Sequence, residues 1–147
     1  MIDSMMLGKI NVFHWHIVDD DSWPLFVESY PTLTDETAFS KYEVYTPEIV
    51  ADIVHFAAVR GVRVVPEIEG PAHLNSLGFY KPFEKLIGCF KDPRGQGQSG
   101  APPTAAIDPI SNLTFEFIHN LFRDIGKTFT SHHWHLGGDE VNAGCWS

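Results

Sequence analysis

Side chains able to move a proton or hold a charge gather at three places in this sequence. His14, His16, Asp19 and Asp20 follow one apolar run, Glu67, Glu69 and His73 follow a second, and His135, Asp139 and Glu140 follow a third. Taken singly, an Asp-Glu pair is an ordinary wet turn and a histidine beside a strand is an ordinary hydrogen-bonded filler. Repetition of the pattern at three points is what suggests a site. Adjacent side chains leave an extended backbone in different directions, so Asp139 and Glu140 suit two tasks better than one shared proton. One can protonate a leaving group while the other orients the substrate. Gly137 and Gly138, just before them, permit the sharp turn that would aim the pair.

The elements that must position these groups can be read from apolar patterning. Ile10 to Trp15, Val62 to Ile68 and His133 to Leu136 have the composition of buried strands, and their separation rules out hairpins between them. Thr46-Pro47-Glu48 starts a helix as N-cap and first turn, and Ile49, Val50, Ile53, Val54 and Ala57 continue it to Gly61. Phe115, Ile118, Leu121, Phe122 and Ile125 mark a second helix, closed near Gly126. Met1 to Leu7, stopped by Gly8, resembles the tail of an earlier helix. Asp92 to Pro103, rich in Gly and Pro, is expected to be a surface loop. Alternating strands and helices imply parallel strands joined by crossovers, in an open doubly wound sheet or a piece of a (β/α)8 barrel. In both, the carboxyl ends of the strands form the active-site face, where all three polar clusters would fall.

Composition narrows the function classes. The 147 residues suffice for one domain or less, and a net charge of −9 repels nucleic acid and anionic membrane surfaces. No apolar run reaches the roughly 20 residues of a membrane helix, and Met1-Ile2-Asp3-Ser4 lacks the pattern of a signal peptide. Two cysteines, Cys89 and Cys145, leave the redox compartment open on counting alone. Of the four tryptophans, Trp15 and Trp134 read as core, whereas Trp23 and Trp146 lie outside the strands and are candidates for contact with a sugar ring. A rival reading takes His14 and His16, on one face of a strand, with Asp139 as ligands of a metal-dependent hydrolase.

Three motifs in order, KINVFHWHIVDDDSWP, RGVRVVPEIEGPAH and HLGGDEVNAGCW, carry a resemblance to the β-N-acetylhexosaminidases of glycoside hydrolase family 20. The resemblance implies a partial (β/α)8 TIM barrel, with residues 1–147 a fragment supplying roughly strands 2 to 4 of the catalytic domain. It implies retaining, substrate-assisted hydrolysis of terminal N-acetylhexosamine residues of glycans, with no cofactor and no metal. Glu140 would be the general acid and Asp139 the group that orients the substrate's 2-acetamido group. His73, with an acidic partner at Glu69, would support the acid, and His16 and Asp19 would join the same polar network. The family usually has Asp where Glu69 stands and Gly where Ala72 stands, so this partner is one methylene longer and the turn before His73 less free. By the same resemblance Cys89 and Cys145 would pair as a disulfide in a lysosomal or secreted enzyme, for which a dimeric parent is compatible. The triplet Asn112-Leu113-Thr114, a glycosylation sequon, agrees with such a compartment. The expected partners are a glycan substrate, with neither nucleic acid nor membrane. The resemblance also exposes what these residues lack: an arginine of the family's first strand and pocket-closing residues of its later strands. The 147 residues alone are therefore expected to be inactive, and a non-catalytic glycan-binding remnant is the alternative from another class.

Overall fold

In the computed structural model, residues 1–90 and 104–146 are described; the loop expected over Asp92 to Pro103 lies outside them. Helix α1 (Ile2–Leu7) leads into strand β1 (Val12–His16), where the chain alternates. Phe13 and Trp15 face one layer, packed against the core, while His14 and His16 face the other. β1 pairs in parallel with β2 (Arg63–Glu67), from Val12 opposite Arg63 to His16 opposite Glu67, so the two strands end level at the rim. The crossover between them contains α2 (Leu33–Thr37) and α3 (Pro47–Ala58). α3 begins as its sequence requires: the Thr46 side chain accepts from the Ile49 amide and Pro47 occupies the first turn. Val50, Val54 and Ala57 then bury one helical stripe. The helix ends at Ala58, and Gly61, at φ 71°, lets the chain reverse into β2.

The third expected strand is reduced to one bridge. Only His135 pairs with Glu67, its amide donating to the Pro66 carbonyl at 3.0 Å and its carbonyl accepting from Ile68 at 3.0 Å. Two local features stop the ladder from growing. Ser131 Oγ folds the incoming chain by bonding to the His133 carbonyl and amide, and Gly137 and Gly138 (φ 65° and 117°) bend the outgoing chain away. Helix α4 (Asn112–Ile125) precedes this segment and contributes Phe117, Leu121 and Ile125 to the core. Periodicity had not announced a second small sheet, in which β3 (Ile87–Gly88) pairs antiparallel with β4 (Ala106–Ile107). The Cys89–Cys145 disulfide joins its edge to the segment beyond Glu140.

The core overturns one expectation. Trp23 is 0% exposed, donating its indole N–H to the Leu25 carbonyl at 3.1 Å and packing against Phe117 with centroids 5.9 Å apart. It cannot touch a substrate. The physical reason is that the connection from residue 17 to 46 is itself a packed layer, in which Trp23, Leu25, Val27 and Leu33 join Phe117, Leu121 and Ile125 of α4. Among the described residues the result is a parallel β/α segment without a closed barrel.

Candidate active site

Each parallel strand delivers polar groups to one rim, and His73 connects them. The chain reaches it from β2 through a cis Gly70–Pro71 bond, and His73 adopts φ 58°. Because the left-handed residue is His73, alanine at position 72 meets no backbone conflict. His73 Nδ1 lies 3.1 Å from Asp19 Oδ1 and 3.7 Å from Asp20 Oδ2; its Nε2 lies 3.7 Å from Asp139 Oδ1 and 3.5 Å from Glu140 Oε2. One imidazole thus stands between the acidic pair that follows β1 and the acid pair that follows the third segment. This corrects the expectation that Glu69 is the contacting partner of His73: that place belongs to Asp19. Two side-chain bonds hold the arrangement, with the Asn75 amide donating to Asp20 Oδ1 at 2.8 Å and Ser76 Oγ donating to the Asp19 carbonyl at 2.8 Å.

Glu69 sits deeper. Its side chain is 2% exposed, Oε1 lies 3.5 Å from His16 Nε2, and Oε2 is buried without a hydrogen-bond partner. The carboxyl packs directly beneath Gly137, where an added Cβ would come within 2.1 Å of Oε2. His16 Nε2 also reaches Asp19 Oδ2 at 3.5 Å, which links this buried acid to the His73 cluster.

Glu67 is the residue whose importance the sequence understated. Its two oxygens serve two strands: His14 Nε2 lies 2.5 Å from Oε2, and His135 Nδ1 lies 2.8 Å from Oε1. Alternation along β2 could have revealed it, since Glu67 and Glu69 must share a face. Thr104, whose hydroxyl donates to the Glu140 carbonyl at 2.8 Å, had no sequence signal at all.

The electrostatics divide these groups. Burial pushes the Glu69 carboxyl above its ordinary value, and its hydrogen bond to Glu67, the charge of Glu67 and that of Asp139 push further. Burial also opposes ionisation of Glu67, but hydrogen bonds from Glu69 and His14 and the nearby His16 and His135 outweigh it and hold Glu67 low. The pKa values of the two glutamates are thus pushed apart, Glu69 upward and Glu67 downward. Burial works against a charged His73, yet Asp19, Asp20, Glu69 and Asp139 together raise it above the usual histidine range. Burial likewise lifts Asp20, against the Asn75 amide and His73.

Of the sequence candidates, the fold brings together Glu140, Asp139, His73, Asp19, His16 and Glu69, and removes Trp23. Trp146 is 40% exposed, with its indole N–H on the Ile107 carbonyl at 3.0 Å. The side chains of Asp139 and Glu140 are open, at 72% and 67%. A hollow of about 700 Å³ beside β1 includes His16 and Asp19 but neither member of the acid pair. His14, Glu67 and His135 place donor atoms within 4.8 Å of one another, as do His16, Glu67 and Glu69, and Asp19, Asp20 and His73. The rival metal set of His14, His16 and Asp139 is not among these clusters, because Asp139 turns to His73 and His14 to Glu67.

Comparison with known proteins gives concordant results. The sequence pattern described as glycosyl hydrolase family 20, catalytic domain, matches residues 1–147. Beta-hexosaminidase subunit beta of Felis catus is 38% identical over 145 residues, covering 99% of this chain and 26% of the relative. Beta-hexosaminidase 1 of Arabidopsis thaliana is 39% identical over 147 residues, covering 99% and 24%. The chain thus spans about a quarter of the length of the curated relatives it matches. Among solved structures, the chitobiase of Flavobacterium johnsoniae superposes with a TM-score of 0.83 at 30% identity, over 99% of this chain and 21% of that one. The beta-N-acetylhexosaminidase of Bacteroides fragilis gives 0.76 at 31% identity, over 96% and 28%.

Proposed function

The chain belongs to glycosyl hydrolase family 20, and on that premise we propose that the protein it forms part of removes terminal non-reducing N-acetylhexosamine residues from glycans. In this reading residues 1–147 are a piece of a catalytic (β/α)8 barrel, roughly its second to fourth strands. The observation that supports it is the meeting of Asp139 and Glu140 on His73 Nε2, at 3.7 and 3.5 Å. Glu140 delivers a proton to the glycosidic oxygen as the bond to the anomeric carbon breaks. The carbonyl oxygen of the substrate's own 2-acetamido group attacks that carbon, and Asp139 orients the amide and stabilises the positive charge that develops on it. Water then opens the cyclic intermediate, giving overall retention. His73, backed by Asp19 and Asp20, positions the pair; His16 and Glu69 brace it from below, and Trp146 offers a ring face to the sugar. The Cys89–Cys145 disulfide favours a lysosomal or secreted setting. A dimeric parent is compatible with this reading, and no helix among the described residues is long and apolar enough to cross a membrane.

The test uses the full-length protein and chromogenic glycosides. Glu140→Gln is expected to lower kcat by about 10²- to 10⁴-fold, the usual contribution of a general acid. Asp139→Asn is expected to damage turnover of the N-acetylglucosaminide strongly. Equal rates on a glucoside and an N-acetylglucosaminide would overturn the role of Asp139. The cluster of His14, Glu67 and His135 favours one second reading, a metal-assisted hydrolase. Loss of activity on chelation, restored by added zinc, would select it; indifference to chelation is expected.

A further inference from the structure

We propose that Thr104 is a positioning residue for Glu140, its hydroxyl fixing the backbone that carries the proton-donating carboxyl. The inference rests on the reading of Glu140 as general acid and adds a residue to that site. Glu140 needs such a partner for two reasons. Its side chain is exposed, so packing does not hold it, and its backbone stands at φ 51°, a left-handed conformation that is unfavourable for an L-residue. Relaxation to negative φ would swing the carboxyl away from His73. Gly138, with open space where a Cβ would stand, offers no resistance to that change.

Thr104 supplies the resistance. Its Oγ donates to the Glu140 carbonyl at 2.8 Å, which fixes the peptide plane that follows the acid. The stretch that begins at Thr104 also holds the turn bearing His73: the Leu74 amide donates to the Ala105 carbonyl at 3.2 Å, and the Ile107 amide donates to the Pro71 carbonyl at 2.9 Å. Ala105, Ala106 and Ile107 are buried, and β4 is paired with β3, so this support is fixed in place. The far end of the acid-bearing segment returns to the same stretch, where the Trp146 indole N–H donates to the Ile107 carbonyl at 3.0 Å. One short strand therefore carries both the imidazole and the acid, and the 3.5 Å between His73 Nε2 and Glu140 Oε2 is set across it. Of these bonds, only that of Thr104 reaches the acid residue itself.

The experiment uses the full-length protein and two N-acetylglucosaminides that differ only in leaving group. A dinitrophenolate departs without a proton. A simple alkyl alcohol departs only as Glu140 gives its proton to the glycosidic oxygen, the bond to the anomeric carbon breaks, and Glu140 is left as carboxylate. Thr104→Val, close in shape but lacking the hydroxyl, is expected to lower kcat/KM on the alkyl glycoside about 3- to 10-fold, the worth of one neutral hydrogen bond. The dinitrophenyl glycoside should be cleaved at the parent rate. Thr104→Ser, which keeps the hydroxyl, should match the parent on both. Equal losses on the two substrates, or none on either, would overturn the proposal, as would a Thr104→Ser protein as slow on the alkyl glycoside as Thr104→Val. Those results leave the role of Glu140 standing; a Glu140→Gln protein that still cleaves the alkyl glycoside at the parent rate would instead overturn the general-acid reading and this proposal with it.

Discussion

Gly137 offers the sharpest test of how the acid pair is held. Replacing it with alanine imposes two separable costs. At φ 65° an L-residue pays about 1 kcal/mol for left-handed backbone. The new Cβ would also lie 2.1 Å from Glu69 Oε2 and 2.5 Å from its Cδ, far inside the ~3.5 Å of ordinary contact. Glu69 is buried, so its carboxyl cannot swing into water; displacing it should cost a further 1–3 kcal/mol or so. The sum is about 2–4 kcal/mol. Chemical denaturation of the full-length protein measures it, and the double-mutant cycle with Glu69→Ala separates the parts. In the Glu69→Ala background only the backbone cost, about 1 kcal/mol, should remain, which leaves a coupling of about 1–3 kcal/mol. Glu69→Asp, which withdraws the carboxyl by one methylene, should recover an intermediate share. A coupling below about 0.5 kcal/mol would refute the claim that Glu69 props the turn.

Two further outcomes are expected. Asp124 is a buried anion whose carboxyl, against the effect of burial, is held below its ordinary value by the Ser29 hydroxyl and amide and by Arg123. Asp124→Ala should cost about 2–4 kcal/mol by denaturation. Because the folded group titrates below the unfolded one, this contribution is complete above about pH 4 and fades as pH falls through the folded value, so parent and variant should converge in acid. The Cys89–Cys145 link closes a span of 56 residues, worth about 4 kcal/mol by loop entropy. Reduction or a double Cys→Ser change should lower the denaturation midpoint accordingly, and an unchanged midpoint would contradict it.

The parts of the fold that chemistry dictates locally were legible in the sequence. α3 was readable because Thr46 and Pro47 fix its start and a regular apolar stripe fixes its face; α4 was readable from its stripe alone. Convergence at the rim followed from parallel strands each ending in polar residues. What failed depended on partners remote in sequence. Trp23 reads as exposed because it sits outside any periodic element, and only the packing of the 17–46 connection over α4 buries it. The sequence His133 to Leu136 has strand composition, but a ladder needs a neighbour in register, and the flanking Ser131 and Gly137 turns allow one bridge. The partner of His73 was misassigned for a geometric reason: Glu69 and His73 are near in sequence, whereas Asp19 reaches the imidazole from the loop beyond β1.

The reach of Glu67 has a consequence for how the rim keeps its alignment. Where the backbone ladder thins to one rung, the carboxylate stitches three neighbouring segments together, taking one histidine on each oxygen. Registration of the last segment is thus held by a side chain together with that single backbone rung. A slip of one residue would turn His135 to the wrong face and carry Asp139 and Glu140 away from their imidazole, so the alignment of both acids is inherited from a glutamate that touches neither.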